Sequence, residues 1–265
     1  MRNIKLTLEY DGSRYNGFIL PPQKGNKMTV SGKIADVLSR MESVNTTATL
    51  PATLPVLFCG EKTAPGVHAL KQTVNFKTDS TLSAKEIQAY LNHYLPQDIV
   101  VLEAIDTADR FHAELNACAC TYEYRITCAA FPDIFRRKYT HFLSQSLDMA
   151  SMNRAANLLT GKHDFAAFSS GKTKKSTVRE LYSIDFESTD TFSDDEPPRQ
   201  EIRILLKANG FLQKMPLSLI GTLLDIGLGK RTSDCIDRIF SGQETPSFTA
   251  LAHALFLKEI SYKQR

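Results

Sequence analysis

The sequence predicts an α+β fold built from two similar sheet-and-helix halves. Two observations carry this. Short segments of alternating polarity take turns along the chain with segments of helical periodicity. The order seen before residue 106 is then echoed after residue 113. The chain has 265 residues, enough for a real core without disulfides or a metal. At 42% hydrophobic and 23% charged, its composition is that of an ordinary globular protein. Disordered, collagen-like and disulfide-scaffold classes are excluded on these numbers.

In the first half, residues 4–10 read as a strand ending in the turn Asp11-Gly12. Residues 29–41 read as a helix with Val30, Ile34, Val37, Leu38 and Met41 on one face, behind Thr29 and Ser31 as cap candidates. Residues 56–59 and 74–76 read as short strands. Residues 83–95 form a helix: Ser83 and Glu86 have the spacing of a capping box. Residues 100–104 are a strand. A helix-poor gap near 106–113 sets the expected boundary, giving halves 1–106 and 107–265.

In the second half, residues 117–128 alternate strictly. Cys118, Cys120, Tyr122, Tyr124, Ile126 and Cys128 fall on one face, and Thr121, Glu123, Arg125 and Thr127 on the other. One face is therefore expected buried and the other wet. Residues 147–159 are a helix closed by Gly161. Residues 178–186 and 202–208 are strands, and the acidic, proline-containing stretch 188–199 reads as a loop between them. A helix at 216–226 starts with Pro216, where a missing N–H costs little. A last helix at 233–240 precedes a strand at 254–262.

The net charge of +3 and pI near 8.5 permit a nucleic-acid partner without demanding one. The N-terminus lacks a signal-peptide core, and no stretch approaches a membrane span. Five cysteines without secretory context point to reduced thiols and a cytoplasmic protein. Cys118, Cys120 and Cys128 with His112 lack the Cys-x2-Cys spacing of zinc knuckles, so no metal is expected.

Several ordered segments carry more information. They are Glu9-Tyr10-Asp11-Gly12-Ser13-Arg14-Tyr15-Asn16-Gly17-Phe18, then Gly66-Val67-His68-Ala69, Arg110-Phe111-His112-Ala113 and Tyr122-Glu123-Tyr124-Arg125-Ile126. LTGKHDFAAF from Leu159 to Phe168, KANGFLQKM from Lys207 to Met215, and Gly221-Thr222-Leu223 follow. In this order and spacing, from residue 4 to residue 262, the chain resembles the tRNA pseudouridine synthase A family. The resemblance implies two ferredoxin-like halves forming one curved antiparallel sheet with helices on one side. It also implies a homodimer that grips tRNA, an isomerisation that needs no cofactor, and a target uridine flipped out of the stack.

The same alignment exposes departures. The family motif Gly-Arg-Thr-Asp-Ala-Gly-Val-His-Ala reads here Glu61-Lys62-Thr63-Ala64-Pro65-Gly66-Val67-His68-Ala69. The catalytic aspartate position holds Ala64, whose methyl group can neither attack a sugar carbon nor move a proton. Lys62 replaces an arginine and loses its two-pronged donor. The arginine of Met-Val-Arg is Leu217 in Met215-Pro216-Leu217. The resemblance implies that this arginine pairs with the catalytic aspartate, so both members of one ion pair are replaced together, as the cost of an unpaired buried charge favours. Glu114 reverses the charge of another family arginine. Phe18-Ile19-Leu20-Pro21 replaces a polar, basic stretch.

These observations predict a pseudoenzyme with degenerate positions Lys62, Ala64 and Leu217. Tyr122, Gly66, Val67 and His68 mark the inherited pocket, although a core tyrosine fits position 122 equally well. Two basic runs, Lys172/Lys174/Lys175 and Arg136-Arg137-Lys138, are candidate RNA contacts, and solvated loops explain them as readily. Phe135 and Tyr139 flank the second run, so aromatic and basic residues interleave there. Two other readings stand beside this one. One is an active synthase that recruits Glu61 or Asp11. The other is a protein-interaction module that uses the apolar stretch 18–22.

Overall fold

A computed structural model describes residues 1–19, 28–44, 55–170, 176–193 and 196–263. The chain divides into two compact units, Met1–Cys118 with Leu257–Arg265, and Ala119–Phe256. The sequence places the division at 106/107 instead. The structural division falls later and returns the C-terminal strand to the first unit, a long-range pairing that no local signal announces.

In the first unit, β1 (Arg2–Tyr10) is central. β4 (Ile99–Thr107) and β3 (His68–Thr78) flank it, both antiparallel. β2 (Leu57–Cys59) pairs with β3, and β10 (Leu255–Tyr262) is also a neighbour of β3. Helix α1 (Val30–Val44) joins β1 to β2, and α2 (Ala84–Tyr94) joins β3 to β4. This βαββαβ path, with strand order β4-β1-β3-β2, is the ferredoxin-like pattern. Ile4, Leu6, Leu8 and Tyr10 of β1 face the core with Ile34 and Leu38 of α1 and Ile87 and Leu91 of α2. The capping box forms as the spacing predicts. The Ser83 N–H donates to Glu86 Oε2 at 2.7 Å and the Glu86 N–H to Ser83 Oγ at 3.3 Å. These bonds hold the Glu86 carboxyl below its ordinary range.

The second unit is again an antiparallel sheet with helices. β5 (Ala117–Ala129) pairs antiparallel with β9 (Glu196–Ala208), β9 with β8 (Val178–Ser193), and β8 with β7 (Gly161–Asp164). A short β6 (His141–Leu143) runs parallel to β5. Helices α3 (Met149–Leu159), α4 (Met215–Gly227) and α5 (Cys235–Phe240) complete it. Apart from Leu217, every residue of α4 is buried, as its apolar sequence requires.

Two expectations are corrected. The face of β5 expected wet is not: Thr121, Glu123 and Thr127 are buried. Arg125 stays half-buried by bonding Glu123 at 2.7 Å and lying over the Phe256 ring at 3.9 Å. Charge pairing and ring contact make burial of a polar face tolerable. The expected loop at 188–199 is instead ladder. Thr189↔Glu201, Asp190↔Gln200 and Thr191↔Arg199 extend the hairpin. Pro197 and Pro198 sit past the last β5–β9 pair, Ala129↔Arg199, so they deprive no partner on β5 of a donor.

Candidate functional site

The segment that carries Lys62, Ala64 and Gly66 links β2 to β3 in the first unit. Pro65 and Gly66 form its tight turn, with the Val67 N–H donating to the Ala64 carbonyl at 3.2 Å. Gly66 has φ +79°, which glycine adopts without strain. A 3-10 turn at Gly12–Arg14 and the residues after it clamp the segment. The Gly66 N–H donates to the Tyr15 carbonyl at 3.2 Å. At Gly17, φ is +80°, and a Cβ would meet the Thr63 carbonyl oxygen at 2.1 Å. At Gly12 a Cβ would meet the Val67 carbonyl oxygen at 2.0 Å. Both glycines are required by close backbone approach.

Thr63 is the polar centre of the clamp. Its Oγ1 lies 2.8 Å from the Tyr10 hydroxyl and accepts the Phe18 N–H at 3.1 Å. Tyr10 and Thr63 are both buried, and burial raises the Tyr10 phenol above its usual range. Burial likewise pushes the neighbouring Cys59 thiol up to about 12, so this cysteine is a protonated core residue. The Gln72 side-chain amide donates to the Glu61 carbonyl at 2.6 Å.

On this frame Ala64 is half-buried, Lys62 exposed and Glu61 half-buried. His68 is buried and accepts the Gly12 N–H on Nδ1 at 3.1 Å. The Asp11 Oδ1 lies 3.1 Å from the same nitrogen, so the Gly12 N–H and the Asp11 carboxylate both face it. Asp11 also accepts the Ser13 N–H at 2.8 Å. Asp98 is held by Arg14 at 2.9 Å and by the Tyr15 hydroxyl at 2.6 Å. The frame thus offers no carboxylate at position 64 and engages Asp11 and Asp98 elsewhere.

Gly66, Val67, His68, Lys62 and Ala64 therefore share one loop system in the first unit. Tyr122 and Leu217 belong to the second. Tyr122 is buried and meets Phe211 edge-on, with ring centroids 5.2 Å apart. Leu217 is half-exposed in the first turn of α4, just after Lys214, which has φ 63°. Phe18, expected in an exposed apolar patch, is fully buried beside Tyr10, with ring centroids 6.4 Å apart. Its backbone bond to Thr63 draws it inward, and of that stretch Ile19 alone is described as exposed. Leu20, Pro21 and Pro22 lie outside the described residues, as do Lys172, Lys174 and Lys175. The other basic run is split: the Arg136 guanidinium engages both carboxylate oxygens of Glu201, while Arg137 and Lys138 are exposed.

Sequence reasoning missed the network that holds residues 108–116. Asn3 Nδ2 donates to the carbonyls of Ala108 and Phe111, each at 2.9 Å, and the Ala113 N–H donates to Asn75 Oδ1 at 2.8 Å. The two asparagines also bond each other at 2.9 Å. The only signal was polar residues on strands, which is not specific. No group of three or more His, Cys, Asp or Glu able to hold a metal occurs among the described residues.

A family model described as tRNA pseudouridine synthase matches residues 155–263. The chain is similar to tRNA pseudouridine synthase A 2 of Bacillus anthracis, 36% identical over 265 residues that cover 99% of this chain and 100% of that one. It is similar to tRNA pseudouridine synthase A of Bacillus sp. (strain KSM-64) at 36% identity, with the same shares covered. The corresponding protein of Thermoanaerobacter sp. (strain X514) is 35% identical over 267 residues, again with 99% of this chain and 100% of that one covered. With its length matched end to end at this identity and its first unit wound in the ferredoxin-like order, this chain belongs to the tRNA pseudouridine synthase family.

Proposed function

We propose that this chain is a non-catalytic member of its family, one that binds tRNA or a related RNA without isomerising uridine. The observation that carries the reading is Ala64 on an intact loop. Gly12, Gly17, Tyr10 and Thr63 hold the backbone in place, and the side chain at the centre has no group that can act as nucleophile or base. Leu217 at the family's arginine position supports it, because both members of one ion pair are replaced together. The chain acts without a cofactor and as a homodimer, the arrangement its family resemblance implies. Free cysteines throughout the described residues fit a reducing, cytoplasmic setting. No helix among the described residues is long and apolar enough to cross a membrane.

The test is pseudouridine formation on unmodified tRNA, read by mass spectrometry with protein in stoichiometric amount beside an active relative. The expected result is none, and a single turnover sinks the reading. One other reading has an observation in its favour. Glu61 is half-buried three residues before Ala64, close enough that its charge acts on Tyr10 and Cys59. If activity is found and Glu61→Gln abolishes it, Glu61 is the substitute carboxylate.

A further inference from the structure

β5 ends at Ala129, and the chain turns through residues 130–140 before β6. Asp133 organises this turn. Its Oδ1 accepts the N–H groups of Phe135 at 2.9 Å and Arg136 at 3.2 Å. Its other oxygen faces Arg199 at 3.3 Å. Arg136 is fixed by Glu201 through both of its end nitrogens. The Tyr139 N–H donates back to the Arg136 carbonyl at 2.8 Å. The turn is therefore pinned to β9 by two ion pairs and closed by its own backbone bonds.

On this pinned turn three apolar side chains stand in solvent: Phe131 is 73% exposed, Ile134 65% and Phe135 92%. A lone exposed apolar residue is ordinary, but three within five residues on an ordered turn mark a recognition surface. Charge narrows the partner. Asp133 with Arg199 and Arg136 with Glu201 neutralise each other. The surplus is Arg137 and Lys138, both exposed, with Arg137 keeping one N–H on the Ile134 carbonyl at 2.8 Å. Solvent-facing rings beside unneutralised cations are what unpaired bases and their phosphates require.

We propose that the turn at 130–140 is a contact for single-stranded RNA. Phe131 and Phe135 stack on unpaired bases. Arg137 and Lys138 hold flanking phosphates. Arg136 positions the turn and does not touch the RNA. This rests on the reading of RNA affinity given above.

The test titrates the full chain with unmodified tRNA and with a labelled single-stranded oligouridine, by fluorescence anisotropy over a range of salt. Phe131→Leu with Phe135→Leu, both at exposed positions, is expected to weaken binding about fivefold or more per ring. Arg137→Gln with Lys138→Gln is expected to lower the slope of log affinity against log salt by about 1–2. Arg136→Gln is expected to lower the melting temperature and leave that slope unchanged. If the wild type binds RNA and neither double variant weakens it, the assignment of the turn is overturned while the RNA reading survives. If the wild type binds neither RNA at low salt, both fall. The same samples are run by sedimentation: loss of a dimer in the phenylalanine variant at unchanged RNA affinity makes the turn a protein interface and overturns the RNA assignment.

Discussion

The loop around Ala64 and the first turn of α4 around Leu217 each present an apolar side chain at a half-exposed position, and they keep their shape by different means. The loop is held by polar bonds and backbone approach: Thr63 to Tyr10 and Phe18, Gly17 against the Thr63 carbonyl, and Gly66 bonded to Tyr15. The α4 turn is held by apolar burial, with all but one of the helix residues out of solvent. Ala64 and Leu217 are both half-exposed, so neither frame is built around those two side chains.

The comparison breaks most readily at the loop. Gly17→Val requires a branched side chain at φ +80° with its Cβ 2.1 Å from a carbonyl oxygen. It is expected to cost more than about 3 kcal/mol, read as a lowered urea midpoint, or to prevent folding. A loss under about 1 kcal/mol would show that the clamp is looser than described. Thr63→Val keeps the shape and the Phe18 N–H bond to the Thr63 carbonyl, but it removes the Oγ1 that pairs with the Tyr10 hydroxyl. The expected loss is about 1–3 kcal/mol by the same measurement.

A pH prediction separates the two units. In the second unit the Tyr124 hydroxyl lies 2.7 Å from His141 Nδ1 and accepts the Leu251 N–H at 2.9 Å. Burial, helped by the charge on His253, lowers the His141 imidazole from 6.5 to about 4. The unfolded chain then binds the proton more readily than the folded one. Stability is therefore unaffected above pH 6.5 and falls as pH drops from 6.5 toward 4. Screening around the half-buried ring leaves an effect on the order of 1–2 kcal/mol. His141→Gln is expected to flatten the stability profile in that window, and an unchanged profile would assign the titration to another group.

The smallest effects sharpen the comparison. Ala64→Asp and Leu217→Arg, at half-exposed positions, are each expected to change stability by less than about 1 kcal/mol. Ala64→Asp alone is expected to form no pseudouridine on unmodified tRNA, because Lys62 and Leu217 still differ from the family pattern. Product from that single variant, read by mass spectrometry, would mean that the site is one residue from activity.

Much of the fold was legible. The cap of α2 sits in residues three apart, and the helical faces of α1 and α3 repeat within a turn, so short windows contain the whole signal. The strand β3 was read over three residues but runs over eleven, since Lys71 and Lys77 interrupt its apolar pattern while its pairing with β1 continues. The hairpin of β8 and β9 hid in the same way, because ladder bonds carried its polar end through residues that look like loop.

The candidate site divides along the same line. By itself the sequence determined the family and that positions 64 and 217 hold the apolar side chains of Ala64 and Leu217, since that is a matter of which atoms a position holds. Only the tertiary structure decided that Phe18 is core, that the polar face of β5 is buried, that Arg136 is bound to Glu201, and that Phe131 and Phe135 stand in solvent. Those outcomes depend on partners far away along the chain. Composition records that a ring or a charge exists, whereas its exposure is set by what the fold brings against it.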